Sequence, residues 1–370
     1  MSFRIHIRII ALALFALMTA GVSQAQWAQQ VSGTGVRLRG VSAVNNMVAW
    51  ASGDKGTYAR TTDGGKTWVA GTVPGAAELD FRDVDAFSAD TAYLLSIGEG
   101  EKSRIYKTTD GGKTWALQFK SARPEAFFDS MAFWDSEHGI AVSDPVGGRF
   151  LIITTSDGGR NWREMPGEGM PAALEGEGAF AASGTCIAVE GKQNVWFGTG
   201  GPGGARIFRS SDGGRTWAVV KSPIPGGKSA GVFSLTFWNA RAGVAVGGDY
   251  TKEREAKDNV AVTNDGGRTW TLIKGKGPGG YRSCVAFLSG PKNPMLITVG
   301  PSGSEYSTDG GQSWTSIGTE GFHSASFASL YGWAVGETGR VAHYSILPRS
   351  LKNRNSGRAS ETPTSRLQRM

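Results

Sequence analysis

The octapeptide "TTDGGKTW" at residues 61–68 is the strongest indication of the fold, because it recurs along the chain. It returns as "TTDGGKTW" at 108–115, "TSDGGRNW" at 155–162, "SSDGGRTW" at 210–217, "TNDGGRTW" at 263–270 and "STDGGQSW" at 307–314. The aspartates of successive copies lie 44 to 55 residues apart. Spacings of this length indicate a repeat architecture with one supersecondary unit per repeat.

Each repeat has the same order of four short β-type runs. In the second repeat the first run is "FRDVDAF" at 81–87 and the second is "TAYLLSIG" at 91–98. The third run ends in the octapeptide, and the fourth begins at its tryptophan, as in "TWALQF" at 114–119. Four short strands separated by glycine-rich turns are typical of one blade of a β-propeller.

The two ends of the repeat region give the number of blades. Residues 322–345 supply three strands and no octapeptide, whereas "QWAQQVSG" at 26–33 supplies a lone strand with Trp27 where the repeats have their tryptophan. Pairing these ends removes the free sheet edges. The sequence therefore predicts an all-β, seven-bladed β-propeller over residues 26–345, with the seventh blade closed by the N-terminal strand.

The octapeptide is explained by turn chemistry. An aspartate can accept hydrogen bonds from backbone N–H groups of its own turn, the glycines permit positive φ, and the tryptophan buries a large ring. We therefore expect structural roles for Asp63, Trp68, Asp110, Trp115, Asp157, Trp162, Asp212, Trp217, Asp265, Trp270, Asp309 and Trp314.

The octapeptide resembles the Asp-box, or bacterial neuraminidase repeat, of sialidases, sortilin-type receptors and xyloglucan-cleaving glycosidases. With four-strand units and seven blades, residues 26–345 look most like the family of photosystem II stability/assembly factors and their non-photosynthetic bacterial relatives. In the photosynthetic members the propeller binds a newly made reaction-centre protein, so the resemblance implies a protein or peptide partner. Relatives of this kind carry conflicting labels, including sialidase-like, oxidoreductase and assembly factor.

Both termini differ in composition from the repeats. Residues 1–25 predict a secretory signal peptide, with Arg4 and Arg8 before an apolar run and small residues before Gln26. We therefore expect a protein exported to the periplasm or the extracellular space, with no stable membrane span once the signal is cleaved. Residues 346–370 are polar and basic, which predicts a disordered tail.

The net charge of +7 is confined to these termini. Two of the 39 bases lie in the signal and six lie in the tail, which holds one of the 32 acids, so residues 26–345 carry equal numbers of both. Nucleic acid is therefore not an expected partner. We expect a monomer whose partner is an envelope protein or peptide, with a glycan as a further possibility.

Function is expected on the face opposite the Asp-box turns. If first strands run from top to bottom, the Asp-box turns lie on the bottom face, and the two insertions, 163–185 and 247–259, lie on the top face. Insertions gathered on one face of a repeat fold mark its binding side. Arg39, Arg82, Asp129 and His323 hold equivalent places near the start of first strands and should point toward the channel mouth.

The top face has many polar candidates. They are Arg39, Arg82, Asp129, Asp144, Arg149, Glu177, Arg206, Asp249, Tyr250, Tyr281, Arg282 and His323. The sequence leaves three interpretations of these residues open. In the first the charges pair with each other across neighbouring blades, and in the second they converge to bind a carboxylate-bearing ligand or peptide. A third is a carbohydrate-active hydrolase, either sialidase-like or endo-glucanase-like, which needs a pair of acids about 5 to 9 Å apart.

Two features count against the sialidase version. The nearest match to the family's Phe-Arg-Ile-Pro signature is "FRIH" at 3–6, inside the predicted signal, and sialidases have six blades. No catalytic residue is assigned.

No metal or cofactor is expected either. The histidines have no ligand spacing, and "GTGGPGG" at 198–204 precedes a strand, so it lacks the helix N-terminus that a dinucleotide site uses. Cys186 and Cys284 lie at the same position of first strands in blades 4 and 6. They are therefore too far apart for a disulfide, whose Cα separation is at most about 7 Å.

The sequence thus favours an exported, non-catalytic binding or assembly scaffold that uses its top face. The hydrolase is the alternative.

Overall fold

The computed structural model describes residues 26–288 and 294–345, and within these ranges it contains seven four-stranded antiparallel sheets. The predicted signal peptide and basic tail lie outside the described residues. The strands of blades 1 and 2 are β2 (Leu38–Ala43), β3 (Ala49–Gly53), β4 (Thr57–Thr61), β5 (Val69–Thr72), β6 (Asp80–Ala86), β7 (Ala92–Ile97), β8 (Arg104–Thr108) and β9 (Ala116–Lys120). Those of blades 3 and 4 are β10 (Phe128–Phe133), β11 (Gly139–Val146), β12 (Arg149–Thr155), β13 (Arg163–Glu164), β14 (Ile187–Glu190), β15 (Asn194–Gly198), β16 (Arg206–Ser210) and β17 (Ala218–Lys221).

The remaining blades follow the same order. Blades 5 and 6 consist of β18 (Ala230–Phe237), β19 (Gly243–Asp249), β20 (Val260–Thr263), β21 (Thr271–Leu272), β22 (Cys284–Leu288), β23 (Met295–Gly300), β24 (Gly303–Ser307) and β25 (Thr315–Gly318). Blade 7 consists of β26 (Ser324–Ala328), β27 (Tyr331–Val335), β28 (Arg340–Ser345) and β1 (Gln26–Val31). Single-turn 3₁₀ helices occur at Gly100–Lys102, Gly167–Gly169 and Glu337–Gly339. In the described ranges, no helix is long and apolar enough to cross a membrane.

The N-terminal strand completes the seventh blade, which confirms the predicted closure. β1 pairs antiparallel with β28, and Trp27 lies opposite Tyr344. The Trp27 ring centroid lies 5.2 Å from those of both Tyr344 and Phe322, and its indole N–H donates to Ser304 Oγ at 2.9 Å. A residue from the start of the chain is thereby packed against the last two blades.

The core lies between the faces of neighbouring blades. The second strand of each blade is covered on both faces, so β3 is buried at all five residues. Trp50 of blade 1, for example, belongs to one apolar cluster with Phe81 and Leu94 of blade 2. Burial on both faces explains why these strands appear in the sequence as continuous apolar runs instead of alternating ones.

Each Asp-box turn is held by its own side chains. Asp63 Oδ1 accepts from Thr61 Oγ1 and from the Thr67 amide, both at 2.9 Å, and its Oδ2 accepts from Thr67 Oγ1 at 2.6 Å. These hydrogen bonds lower the pKa of Asp63 to about 2. Gly64 and Gly65 have φ of 75° and 79°, a region that L side chains rarely adopt. The carboxylate is thus engaged inside the turn that contains it.

Candidate functional site

β-bulges place side chains at the mouth of the central channel. The first strands of blades 1, 2, 3 and 5 each contain a register shift near their start, and the residues at the shifts are Arg39, Arg82, Asp129 and Phe233. A bulge inserts one unpaired residue and changes the direction of a side chain. Three of these four residues were selected from the sequence, and Phe233 was not.

Several of these residues line one pocket on the top face. Its volume is about 350 Å³. It is lined by Arg39, Arg82, Phe180, Ala181, Ala182, Phe233, Tyr250, Glu253, Tyr281, Ser283, Pro301 and His323. The structure therefore brings together five of the sequence-selected residues: Arg39, Arg82, Tyr250, Tyr281 and His323.

The cationic side of the pocket is formed by two arginines. Arg82 Nε donates to Asp80 at 2.7 Å, and its Nη1 donates to the carbonyl of Ala181 at 3.0 Å. Nε of Arg39 is buried and has no hydrogen-bond partner among the described residues. Burial, followed by repulsion from Arg82, lowers the pKa of Arg39 to about 10, so its guanidinium remains charged at neutral pH.

His323 contributes a neutral ring beside these cations. Burial, followed by the charge of Arg39, lowers the pKa of His323 to about 4. Its Nδ1 lies 3.4 Å from Nη1 of Arg39, and its Nε2 lies 2.7 Å from Oε1 of Glu337. Because arginine can only donate, Nδ1 is the acceptor and Nε2 carries the proton. At neutral pH the positive charge of the pocket therefore comes from the arginines alone.

The opposite side is aromatic. Phe180 and Phe233 are stacked, with centroids 3.7 Å apart and an interplanar angle of 15°. Tyr281 packs edge-on against Phe233 at 4.7 Å, whereas Tyr250 is 50% exposed at the rim. Two cations and an aromatic surface in one concave site suit a ligand that has an anionic group next to an apolar one.

The floor of the pocket is the end of the first insertion, residues 180–184, here called the channel plug. Arg82 donates to the carbonyl of Ala181 on one side of the mouth. On the other side Ser183 Oγ donates to the carbonyl of Ser283 at 2.7 Å, and Ser324 Oγ donates to the carbonyl of Ser183 at 2.9 Å. The channel plug thus joins blade 2 to blades 6 and 7 across the mouth.

Only a glycine fits at the end of the channel plug. Gly184 has φ of 73°, and a Cβ there would lie 2.2 Å from Asp83 Oδ1. The sequence predicted that this insertion lies on the top face but did not predict that it enters the channel. The available signal was its apolar end, "AFAASG" at 179–184, within an otherwise polar loop.

Buried acids lie close to the channel plug. Asp129 is 2% exposed, and burial followed by the charge of Asp144 raises its pKa well above the ordinary value. Burial raises the pKa of Asp144 to about 6, and its Oδ1 accepts from the Ala179 amide at 2.8 Å. Burial also raises the pKa of Asp83 strongly and that of Asp85 to about 7. None of these four acids lines the pocket.

The other sequence-selected residues lie outside the pocket. Arg282 is 1% exposed and pairs with Glu305, to which its Nε donates at 2.7 Å. Arg206 pairs with the buried Glu177, with its Nε 2.8 Å from Oε1. Both pairs lie within or beside one blade and do not link neighbouring blades.

Two more candidates have local roles. Arg149 is exposed and donates to the carbonyl of Met170. Asp249 Oδ1 accepts from Ser229 Oγ at 2.8 Å and from Thr251 Oγ1 at 2.7 Å.

Cys186 and Cys284 are buried and free. In the part of the chain that the structure describes, no cluster of three potential metal ligands occurs.

One repeat of the chain matches a known protein family. Residues 305–316 match the family described as BNR/Asp-box repeat. A search of curated proteins found no significant match. The Asp-box match covers one repeat, and the fold extends the likeness to the rest of the propeller.

Solved structures with this fold have different functions. "YCF48 bound to D1 peptide" has 18% identity and a TM-score of 0.60, over 86% of this chain and 97% of that one. Virginiamycin B lyase from Staphylococcus aureus has 14% identity and a TM-score of 0.64, over 87% of this chain and 100% of that one. An ancestral GH74 enzyme has 14% identity and a TM-score of 0.62, over 85% of this chain and 45% of that one. These likenesses show the propeller fold, which binding proteins and enzymes share.

Proposed function

We propose that the protein is an exported binding or assembly scaffold, without catalysis of its own, that recognises a protein or peptide partner through the top-face pocket. The observation that carries this proposal is the placement of Arg39 and Arg82 beside the stacked rings of Phe180 and Phe233. Nε of Arg39 lacks an acceptor among the described residues. A carboxylate would supply one, and a neighbouring apolar side chain would cover the rings.

The chemistry of the pocket supports a particular kind of partner. The expected segment has a carboxylate, either a chain terminus or an acidic side chain, next to an aromatic or aliphatic residue. The structure named "YCF48 bound to D1 peptide" supports this proposal through its fold, because it is a similarly folded protein that holds a peptide.

Export rests on residues 1–25, whose sequence has the charged, apolar and small-residue segments of a secretory signal. It is tested by fractionating cells and determining the N-terminus of the recovered protein. A mature chain that begins near Gln26 in the envelope or medium is expected. An intact N-terminus in the cytoplasm would contradict export without affecting the binding proposal.

The binding proposal is tested by retention of a partner from an envelope extract on immobilised protein. The pocket variant is Arg39→Gln with Arg82→Gln, and the matched control is Arg104→Gln, an arginine that does not line the pocket. We expect one protein to be retained by the wild type and the control, and to be lost with the double variant. A peptide with a free C-terminal carboxylate should compete better than its amide. Equal retention of that protein by the double variant would contradict the proposal.

The hydrolase alternative is supported by the fold of the GH74 enzyme and by the aromatic surface of the pocket. A two-carboxylate mechanism requires a pair of acids, and among the described residues that line the pocket Glu253 is the one acid. Sugar release from a glycan panel that is lost in Glu253→Gln would favour a hydrolase over the scaffold.

A further inference from the structure

A second concave site lies on the bottom face, between blades 4 and 5. It has a volume of about 270 Å³, and three of its lining residues are Arg209, Arg241 and Arg268. We call it the tri-arginine cleft. Arg241 and Arg268 are exposed, whereas Nε of Arg209 is buried and has no hydrogen-bond partner among the described residues.

The equivalent site between blades 1 and 2 contains an acid that neutralises the arginine. Arg60 of β4 is the counterpart of Arg209 of β16, since both directly precede the first residue of an octapeptide. Arg60 Nη1 donates to the Ala89 carbonyl at 2.6 Å and lies 3.8 Å from Oδ1 of Asp90. Its guanidinium also lies 5.3 Å from the centroid of Trp50.

The tri-arginine cleft reverses the charge of this arrangement. The hairpin after the first strand contains Asp90 in blade 2 and Arg241 at the same place in blade 5. The carbonyls of both residues accept from the first glycine amide of the next octapeptide, at 3.0 and 2.8 Å. The octapeptide of blade 2 then contributes Lys113, and that of blade 5 contributes Arg268. An acid between two cations has thus been replaced by a third cation.

The acid nearest to these arginines does not restore the balance. Asp265 belongs to the Asp-box turn, and its Oδ1 and Oδ2 accept from Thr263 Oγ1 at 2.9 Å and from Thr269 Oγ1 at 2.6 Å. Nη1 of Arg268 donates to the Asp265 carbonyl at 2.7 Å, and Nε of Arg241 lies 3.4 Å from the carbonyl of Asn264. These contacts orient two guanidinium groups but leave most of their N–H donors available. Burial, followed by the charge of Arg268, lowers the pKa of Arg209.

We propose that the tri-arginine cleft binds a phosphate or sulfate group. Guanidinium groups match the geometry of tetrahedral oxyanions, and three of them suit a doubly charged anion better than a single carboxylate. The group is either a free ion or the phosphate of a lipid headgroup, two sources that the test below distinguishes. This site is independent of the top-face pocket and would give the propeller a second point of attachment on the opposite face.

The test is a titration of the full chain with inorganic phosphate and with sulfate, at constant ionic strength, followed by calorimetry. The decisive variant is Arg241→Asp, because it reproduces the charges that the boundary of blades 1 and 2 already accommodates. Its melting temperature without ligand should therefore equal or exceed that of the wild type. Lys113→Gln, at the position equivalent to Arg268, and Arg104→Gln, an arginine that lines neither site, are the matched controls.

We expect saturable binding that both controls retain and that Arg241→Asp and Arg209→Gln weaken by about tenfold or more, the effect of losing a charge-assisted hydrogen bond. Flotation with phosphatidic acid vesicles, against phosphatidylcholine, distinguishes a lipid source from a free ion. Since the basic tail is present in every variant, only the difference between wild type and Arg241→Asp counts. Equal binding by these two proteins, or no saturable binding to the ions or the vesicles, would overturn the proposal.

Discussion

Arg82 and Arg282 are both arginines of the top face, and their surroundings give them opposite roles. Arg82 lines the pocket, whereas Arg282 is enclosed with Glu305 and donates to it from two nitrogens. The sequence predicted both as polar candidates of the top face, Arg82 near the start of a first strand and Arg282 in a loop. Both arginines have an acid partner, but Arg282 is fully buried with Glu305, whereas Arg82 pairs with Asp80 and still lines the pocket. A single sequence does not show this difference in burial.

Arg282→Ala should destabilise the protein by about 3 kcal/mol, because it leaves the charge of Glu305 buried without a partner. Chemical denaturation measures this change. The double variant Arg282→Met with Glu305→Leu removes both charges and should be less destabilised. If Arg282→Ala unfolds at the wild-type midpoint, the pair of Arg282 with Glu305 does not stabilise the fold.

Asp212→Ala should reduce stability by about 1 to 3 kcal/mol, through the loss of acceptors for the amides of Arg215 and Thr216. Asp212→Asn retains one acceptor oxygen and is the milder control. Denaturation midpoints provide the measurement. Partner retention by the folded fraction should remain unchanged, and a loss of retention would assign the Asp-box a role in binding.

The strands could be predicted from the sequence, whereas the channel plug could not. Apolar runs, glycine turns and the repeated octapeptide identify the blades. The channel plug depends on contacts of residues 180–184 with blades 2, 6 and 7, and such long-range contacts leave no periodic signal. The residues at three of the bulges could be selected from the sequence, since Arg39, Arg82 and Asp129 hold equivalent places near the start of first strands. Phe233 could not be predicted to lie at a bulge, because its neighbours in β18 are also apolar.

Trp27→Ala should destabilise the protein by about 3 kcal/mol, because it removes a large ring from the contacts of β1 with blade 7. Deletion of residues 26–32 should reduce stability further, since β28 then loses its partner strand. Thermal unfolding measures both effects. An unchanged melting temperature after the deletion would contradict the closing role of β1.

Asp144, which binds the amide of Ala179 next to the channel plug, should make the stability of the protein depend on pH. Its folded pKa of about 6 lies above the unfolded value of about 3.9. Its contribution to stability is therefore fully present below about pH 4 and is lost as the pH rises through about 6. Between pH 5 and pH 8 the melting temperature of the wild type should fall relative to that of Asp144→Asn. Parallel curves for the two proteins would show that Asp144 titrates normally.

The two faces of the whole ring differ in how far their polar residues repeat. The Asp-box turns repeat on the bottom face and are satisfied internally, whereas the top-face pocket combines residues from several blades that do not repeat. The sequence predicted the number of blades and the closure of the ring. It could not predict which polar residues converge, because convergence around a ring depends on bulges and on the insertion that fills the channel. The tri-arginine cleft differs from the equivalent boundary of blades 1 and 2 by having Arg241 where that boundary has Asp90.

The most direct test of the top-face assignment is site-specific photo-crosslinking in cells that make the protein. A benzoylphenylalanine replaces Tyr250 at the rim of the pocket in one variant, and Met47, exposed in a bottom-face hairpin, in the other. We predict a crosslinked protein partner with the probe at position 250, absent with the probe at position 47 and diminished when Arg39→Gln and Arg82→Gln are added. A partner captured from position 47 and not from position 250 would contradict the top-face site.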